Sequence, residues 1–153
     1  VRRLAIVTAV LAALIAPGLV SGAAPSPAPP AEGWGAAELR IAAAYWGVPT
    51  PPLCGSTAVQ FDVPLPPEVA GEATIPAQAG TACWMKIAPA RTIGTLYEHC
   101  LTVVHEYGHW LGLSHSGDVS SPMAAELNPT IHVRGCARLA SVTKRTHKPA
   151  KTR

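Results

Sequence analysis

The residues best suited to chemistry lie in one short run, His105-Glu106-Tyr107-Gly108-His109, with Gly112 and His115 close behind. On a helix His105 and His109 stand one turn apart, so both imidazoles can address the same ion. Glu106, rotated by about 100°, leans over that ion without binding it. Gly112 tolerates the left-handed backbone that ends a helix and folds the chain back, which lets His115 supply a third nitrogen. Three neutral imidazoles and an open fourth position suit Zn²⁺ and a water better than Mg²⁺ or Ca²⁺. With Gly112 and His115 included, residue frequencies give a chance match on the order of 10⁻⁵, so accident is not a serious competitor.

A helix over about 95–112 must carry these side chains. On it Tyr97, Cys100, Leu101, Val104, Tyr107, Gly108 and Leu111 form an apolar stripe, the width expected of a core-facing helix. Glu98, Thr102, His105, Glu106 and His109 gather on the other side, so the pattern predicts a packing face and a separate chemical face. His99 falls on neither and reads as a solvent-facing residue, Tyr107 and Trp110 turn away from the metal and read as packing, and His132 reads as structural or exposed. Upstream, 36–45 is rich in helix formers and stops at Gly47 and the prolines beyond it, with Leu39, Ile41 and Trp46 as its core contacts. Alternation of Val59, Phe61 and Val63 with polar residues predicts a strand over 57–63, and 73–75 is a candidate short strand. A further strand over 82–88 sets Cys83, Met85 and Ile87 against Trp84 and Lys86.

The chain has 153 residues, enough for one domain. Charged residues make up 14% and the net charge is +3, which argues against both disorder and a nucleic-acid binder. Seven basic and no acidic residues follow from Arg134 onward, whereas 24–133 holds nine acidic and three basic ones. The basic end reads as a solvated tail, with weak contact to an anionic surface as the sharper alternative. Arg2-Arg3, the apolar run Leu4–Val20 and Ser21-Gly22-Ala23 make a cleavable export signal over 1–23, too short to remain as a membrane anchor. The expected order is then a proline-rich linker over 24–35, a domain over 36–140 and a basic tail over 141–153, in a secreted monomer whose alanine and proline usage is compatible with a bacterial source. Four cysteines, Cys54, Cys83, Cys100 and Cys136, fit two disulfides in an oxidising compartment, with three connectivities open.

The run from His105 to His115 resembles the metzincin metallopeptidases, and the matrixins within them, through H-E-x-x-H-x-x-G-x-x-H and the continuation His115-Ser116-Gly117-Asp118. Met123 stands where matrixins place the methionine of a tight turn under the metal. A gluzincin-like third ligand would have to be Glu126, and His115 with Gly112 outranks it. The resemblance covers 105–123 and implies a small α+β zincin domain: a first helix, a twisted sheet, the active-site helix, the Met-turn and a C-terminal helix. It also implies one catalytic Zn²⁺ on His105, His109 and His115, with Glu106 as general base and later acid for a zinc-activated water in a secreted endopeptidase. An extended peptide or protein substrate would add to a sheet edge, for which Trp84 to Ala88 is the candidate, with Trp84 and Lys86 as substrate contacts. The chain departs from matrixins in its two or three readable strands, in Ala124-Ala125-Glu126 after Met123, and in having neither a HxHxD-like segment nor a propeptide cysteine in 24–35. A secreted, zinc-stabilised binding module without catalysis is the alternative, disfavoured because structural zinc normally takes four protein ligands and has no use for Glu106. Pairing Cys100 with Cys136 would clamp the last segment to the active-site helix, and Cys54 with Cys83 would staple two strands.

Overall fold

A computed structural model describes residues 34–146. The export signal over 1–23, nearly all of the 24–35 linker and residues 147–153 of the basic tail lie outside the described residues. The order is α1 (Trp34–Trp46), β1 (Cys54–Gln60), β2 (Gly71–Ala73), β3 (Thr81–Ile87), the single turn α2 (Ala90–Ile93), α3 (Leu96–Trp110) and α4 (Arg134–Thr146). The architecture is α+β: four helices against a small three-stranded sheet of order β1-β3-β2. No helix among the described residues is long and apolar enough to cross a membrane.

The strand β3 is central, parallel to β1 and antiparallel to β2, with Ala58 opposite Trp84 and Glu72 opposite Lys86. Its alternation is the expected one, with Cys83, Met85 and Ile87 buried toward the helices and Trp84 exposed on the far face. The edge assigned to Trp84 to Ala88 is therefore corrected. Both sides of β3 are paired, and the Trp84 carbonyl accepts from the Thr74 amide and from the Trp110 indole. The other strands are displaced from their expected bounds. β1 stops at Gln60 because Asp62 takes a left-handed φ of 57°, although the Val63 amide still reaches the Ile87 carbonyl. β2 occupies 71–73 rather than 73–75, since only this stretch lies in register with Met85 to Ile87.

The core is organised around α3. Every residue from His99 to Trp110 is buried, on the chemical face as well as on the packing face. α1 crosses α3 closely because Ala42, fully buried, has little side chain to keep the helices apart, and the Trp46 indole donates to the Val104 carbonyl. His99 is the clearest departure. It is buried between α1 and α3, with its Nδ1 2.8 Å from Oε1 of Glu38 and its ring near Phe61. α1 begins early enough to bring Glu38 over the start of α3, and no property of α3 alone announces that partner.

Two disulfides, Cys54–Cys83 and Cys100–Cys136, join β1 to β3 and α3 to α4, consistent with an extracellular protein. α4 runs through residue 146, so the boundary expected between 140 and 141 falls inside a helix. Removing the second bridge as Cys100→Ala with Cys136→Ala is expected to lower stability by about 2–4 kcal/mol, read from urea unfolding of the oxidised proteins. An unchanged midpoint would mean that packing alone holds α4.

Candidate metal centre

The helix that carries the site is fixed at both ends by its own sequence. Thr95 and Glu98 form a reciprocal capping box: the Thr95 hydroxyl accepts from the Glu98 amide, and the Glu98 carboxylate accepts from the Thr95 amide. This T-x-x-E signal is legible in the sequence and locates the first turn. At the other end Gly112 adopts φ 84°, its amide donates to the His109 carbonyl, and the Leu113 amide donates to the Gly108 carbonyl. These two bonds make a Schellman ending, and they reverse the chain where the spacing of Gly112 requires.

The reversal brings His115 back to His105 and His109. The three rings lie 4.8 to 5.2 Å apart by centroid, and one nitrogen of each lies within 4.8 Å of the others, a group that can hold a metal ion. Two of the rings are oriented by the backbone. Nδ1 of His105 stands 2.7 Å from the Pro122 carbonyl and Nδ1 of His109 stands 2.8 Å from the Leu113 carbonyl. A carbonyl can only accept, so each Nδ1 carries the proton and each Nε2 lone pair is left free for a cation. Burial holds His105 down at about 4, only partly offset by its bond to Pro122 and reinforced by the other two histidines. Burial likewise lowers His109. Neutral, preoriented imidazoles are what a transition-metal ion requires of its ligands, so the donor set fits.

Glu106 sits beside them, 4% exposed and without a hydrogen-bond partner among the described residues. Burial, with the Glu72 carboxylate adding to it, pushes Glu106 up to about 8. Its place is set by a close approach of β2: a Cβ on Gly71 would lie 2.7 Å from Oε1 of Glu106 and 2.8 Å from Cγ2 of Thr102. Underneath, Met123 is 4% exposed and packs against Gly108. The loop holding Met123 is tied by the Ser116 amide donating 2.7 Å to the Met123 carbonyl, and by Asp118 accepting from the Ser120 amide and hydroxyl, bonds that also lower the Asp118 carboxyl.

These groups line one cleft of about 820 Å³. Comparison with protein-family models, curated proteins and solved structures gives no match. His105, Glu106, His109 and His115 all line the cleft, with Met123 packed behind them; Trp84, 42% exposed, lines it too. Lys86 does not. Its ammonium lies over the Trp84 ring at 5.1 Å on the outer face of the sheet. His132 is exposed and outside the cleft. The residues that the sequence reading missed here are Gly71 and Glu72, which come from a strand displaced from its expected position.

Two outcomes follow from this packing. A glycine inside a helix should gain about 0.5–1 kcal/mol on replacement by alanine. At Gly108 the new methyl would run into Met123 Sδ and stand 3.1 Å from Trp46 Cζ2. Gly108→Ala is therefore expected to destabilise by about 1–3 kcal/mol; a gain measured by thermal unfolding would show that Met123 yields freely. For Glu106 in the metal-free protein, the folded carboxyl titrates near 8 against an ordinary 4.5, so the fold binds a proton that the unfolded chain releases between those values. Stability from this group is present at low pH and lost as pH rises toward 8. Glu106→Gln cannot ionise, so its melting temperature, measured with chelator, is expected to exceed the parent's by several degrees at pH 8 and by little near pH 4.5. His105 and His109 are common to both proteins and cancel. A gap independent of pH would refute the burial argument.

Proposed function

We propose that the chain is a secreted zinc-dependent endopeptidase of the kind its motif resembles, with a small metzincin-like domain. The observation that carries this reading is the pairing of a three-imidazole group, preoriented by backbone carbonyls, with a buried carboxyl that has no partner of its own. A site built only to staple the fold would have no use for Glu106, which lines the cleft beside the three ligands without a partner. Zn²⁺ is the ion that best suits three neutral nitrogen donors, and when bound it supplies the Lewis acidity that acidifies a water and polarises a carbonyl.

The chain's own residues do the rest. His105, His109 and His115 hold the ion, and Met123 on Gly108 fixes the floor behind the imidazoles. The buried Glu106 takes the proton of the attacking water and delivers it to the leaving amine. Substrate binding falls to β2, which like β1 is paired on one side only but, unlike β1, lines the cleft. In an antiparallel ladder successive residues bond to alternate sides. The bonds at Ala70 and Thr74 face β3, so the amides and carbonyls of Gly71 and Ala73 face outward, ready for an extended peptide to join as a further strand. Trp84 and Ile75, both large and exposed, give that peptide an apolar surface at the cleft mouth.

The test is hydrolysis of an unstructured protein such as casein by the oxidised chain. Glu106→Gln is expected to lower the turnover about 10²–10⁴-fold while binding one equivalent of zinc. Chelation is expected to abolish activity and zinc to restore it. Zinc bound at one equivalent, with hydrolysis no faster than in Glu106→Gln, would point instead to a non-catalytic binding module.

A further inference from the structure

The cleft is acidic along its length, and the chemistry of the centre leaves most of that acidity unused. Among the described residues five glutamates line it, Glu68, Glu72, Glu98, Glu106 and Glu126, and no lysine or arginine does. Glu106 is assigned to the reaction, and the Glu98 carboxylate is held by the Thr95 amide in the capping box. Glu68, Glu72 and Glu126 remain. None is neutralised by an ion pair, since Glu38–His99 is the only one among the described residues. Lys86, across the ladder from Glu72, is turned onto the Trp84 ring.

Their positions say what they are for. Glu72 lies on β2 and Glu68 just before it, on one wall; Glu126 comes from the loop after Met123, on the other. They do not gather around a point: the one group of donor atoms close enough to hold an ion, among the described residues, is His105, His109 and His115. Carboxylates spread along both walls of a groove match a ligand whose positive charges are likewise spread, and low-dielectric walls of one sign concentrate such a ligand. Glu106, 4% exposed and without a partner, lines the same cleft, a place where a ligand completes the polar contacts.

We infer that the cleft selects cationic peptides, lysine- or arginine-rich segments, with Glu68 and Glu72 reading one side of the strand and Glu126 the other. This rests on the reading of the cleft as a peptide-binding groove. The basic side chains would project from a backbone seated on the outward amides and carbonyls of Gly71 and Ala73. The rim carboxylates act through charge rather than a fixed bond, so the selection weakens as salt screens it.

The experiment measures binding, so that it does not depend on turnover. Labelled unstructured peptides of equal length, one with spaced lysines, one neutral and one with spaced glutamates, are titrated by fluorescence anisotropy into the full chain carrying Glu106→Gln, without metal and again with zinc. The lysine peptide is expected to bind about tenfold more tightly than the neutral one at low salt, and the glutamate peptide to bind most weakly. High salt should compress the series. Glu68→Gln and Glu126→Gln alter exposed side chains on opposite walls, and each is expected to shrink the preference several-fold; adding Glu72→Gln should erase it. Equal affinity for lysine and neutral peptides, or a preference untouched by these variants, would overturn the inference. Casein hydrolysis together with equal peptide affinities would sink this inference and leave the peptidase standing; selective lysine-peptide binding without any hydrolysis would do the reverse.

Discussion

The burial of α3 on every side is the constraint from which the rest of the structure follows. A helix enclosed from His99 to Trp110 takes six polar or ionisable side chains into the interior with it, and each must be satisfied or carry a cost. His99 finds Glu38, and Thr102 donates to the Glu98 carbonyl. Tyr107 donates to the Val48 carbonyl, and His105 and His109 take the carbonyls of Pro122 and Leu113. Only Glu106 is left without a partner in this series. Three of these contacts come from loops, at Val48, Leu113 and Pro122, and the exception, Glu106, lines the cleft.

Enclosing a helix so fully in a small protein requires reinforcement, because three short strands cover little area. β1 is mostly exposed, and its hold on β3 is strengthened by Cys54–Cys83. α4 lies at the other side of α3 and is joined to it by Cys100–Cys136, while the Tyr97 hydroxyl bonds to the Ile131 carbonyl and accepts from the Val133 amide. The bridges thus secure the two layers between which the site helix is held. The same economy appears at Gly71 and Gly108, where backbone and sulfur approach α3 more closely than any side chain would permit. Those approaches put β2 beside Glu106 and Met123 beneath the histidines, so the cleft is a product of tight packing rather than of a large scaffold.

Much of the site was legible in the sequence because its information is local. The i, i+4 pair His105 and His109, the intervening Glu106 and the glycine that reverses the chain are short-range geometry, and a helix with its caps realises them in any context that allows it to form. The alternation of Cys83, Met85 and Ile87 was legible for the same reason. Of the three disulfide connectivities that the sequence left open, the structure forms Cys54–Cys83 and Cys100–Cys136.

What only the tertiary structure decided is long-range. The sequence shows that 82–88 is a strand, but not that β1 and β2 would flank it, so its assignment as the free edge failed and the edge at the cleft is Gly71–Ala73. It shows His99 off both faces of the helix, but not that Glu38, 61 residues earlier, would arrive to cover it. It places glutamates at 68, 72 and 126 far apart along the chain, and only the folding of β2 and the Met123 loop over α3 sets them on two walls of one cleft. Periodicity and capping are properties of neighbouring residues. Strand order, the burial of a polar pair and the sign of a cleft are properties of which segments meet, and sequence spacing does not encode that meeting directly.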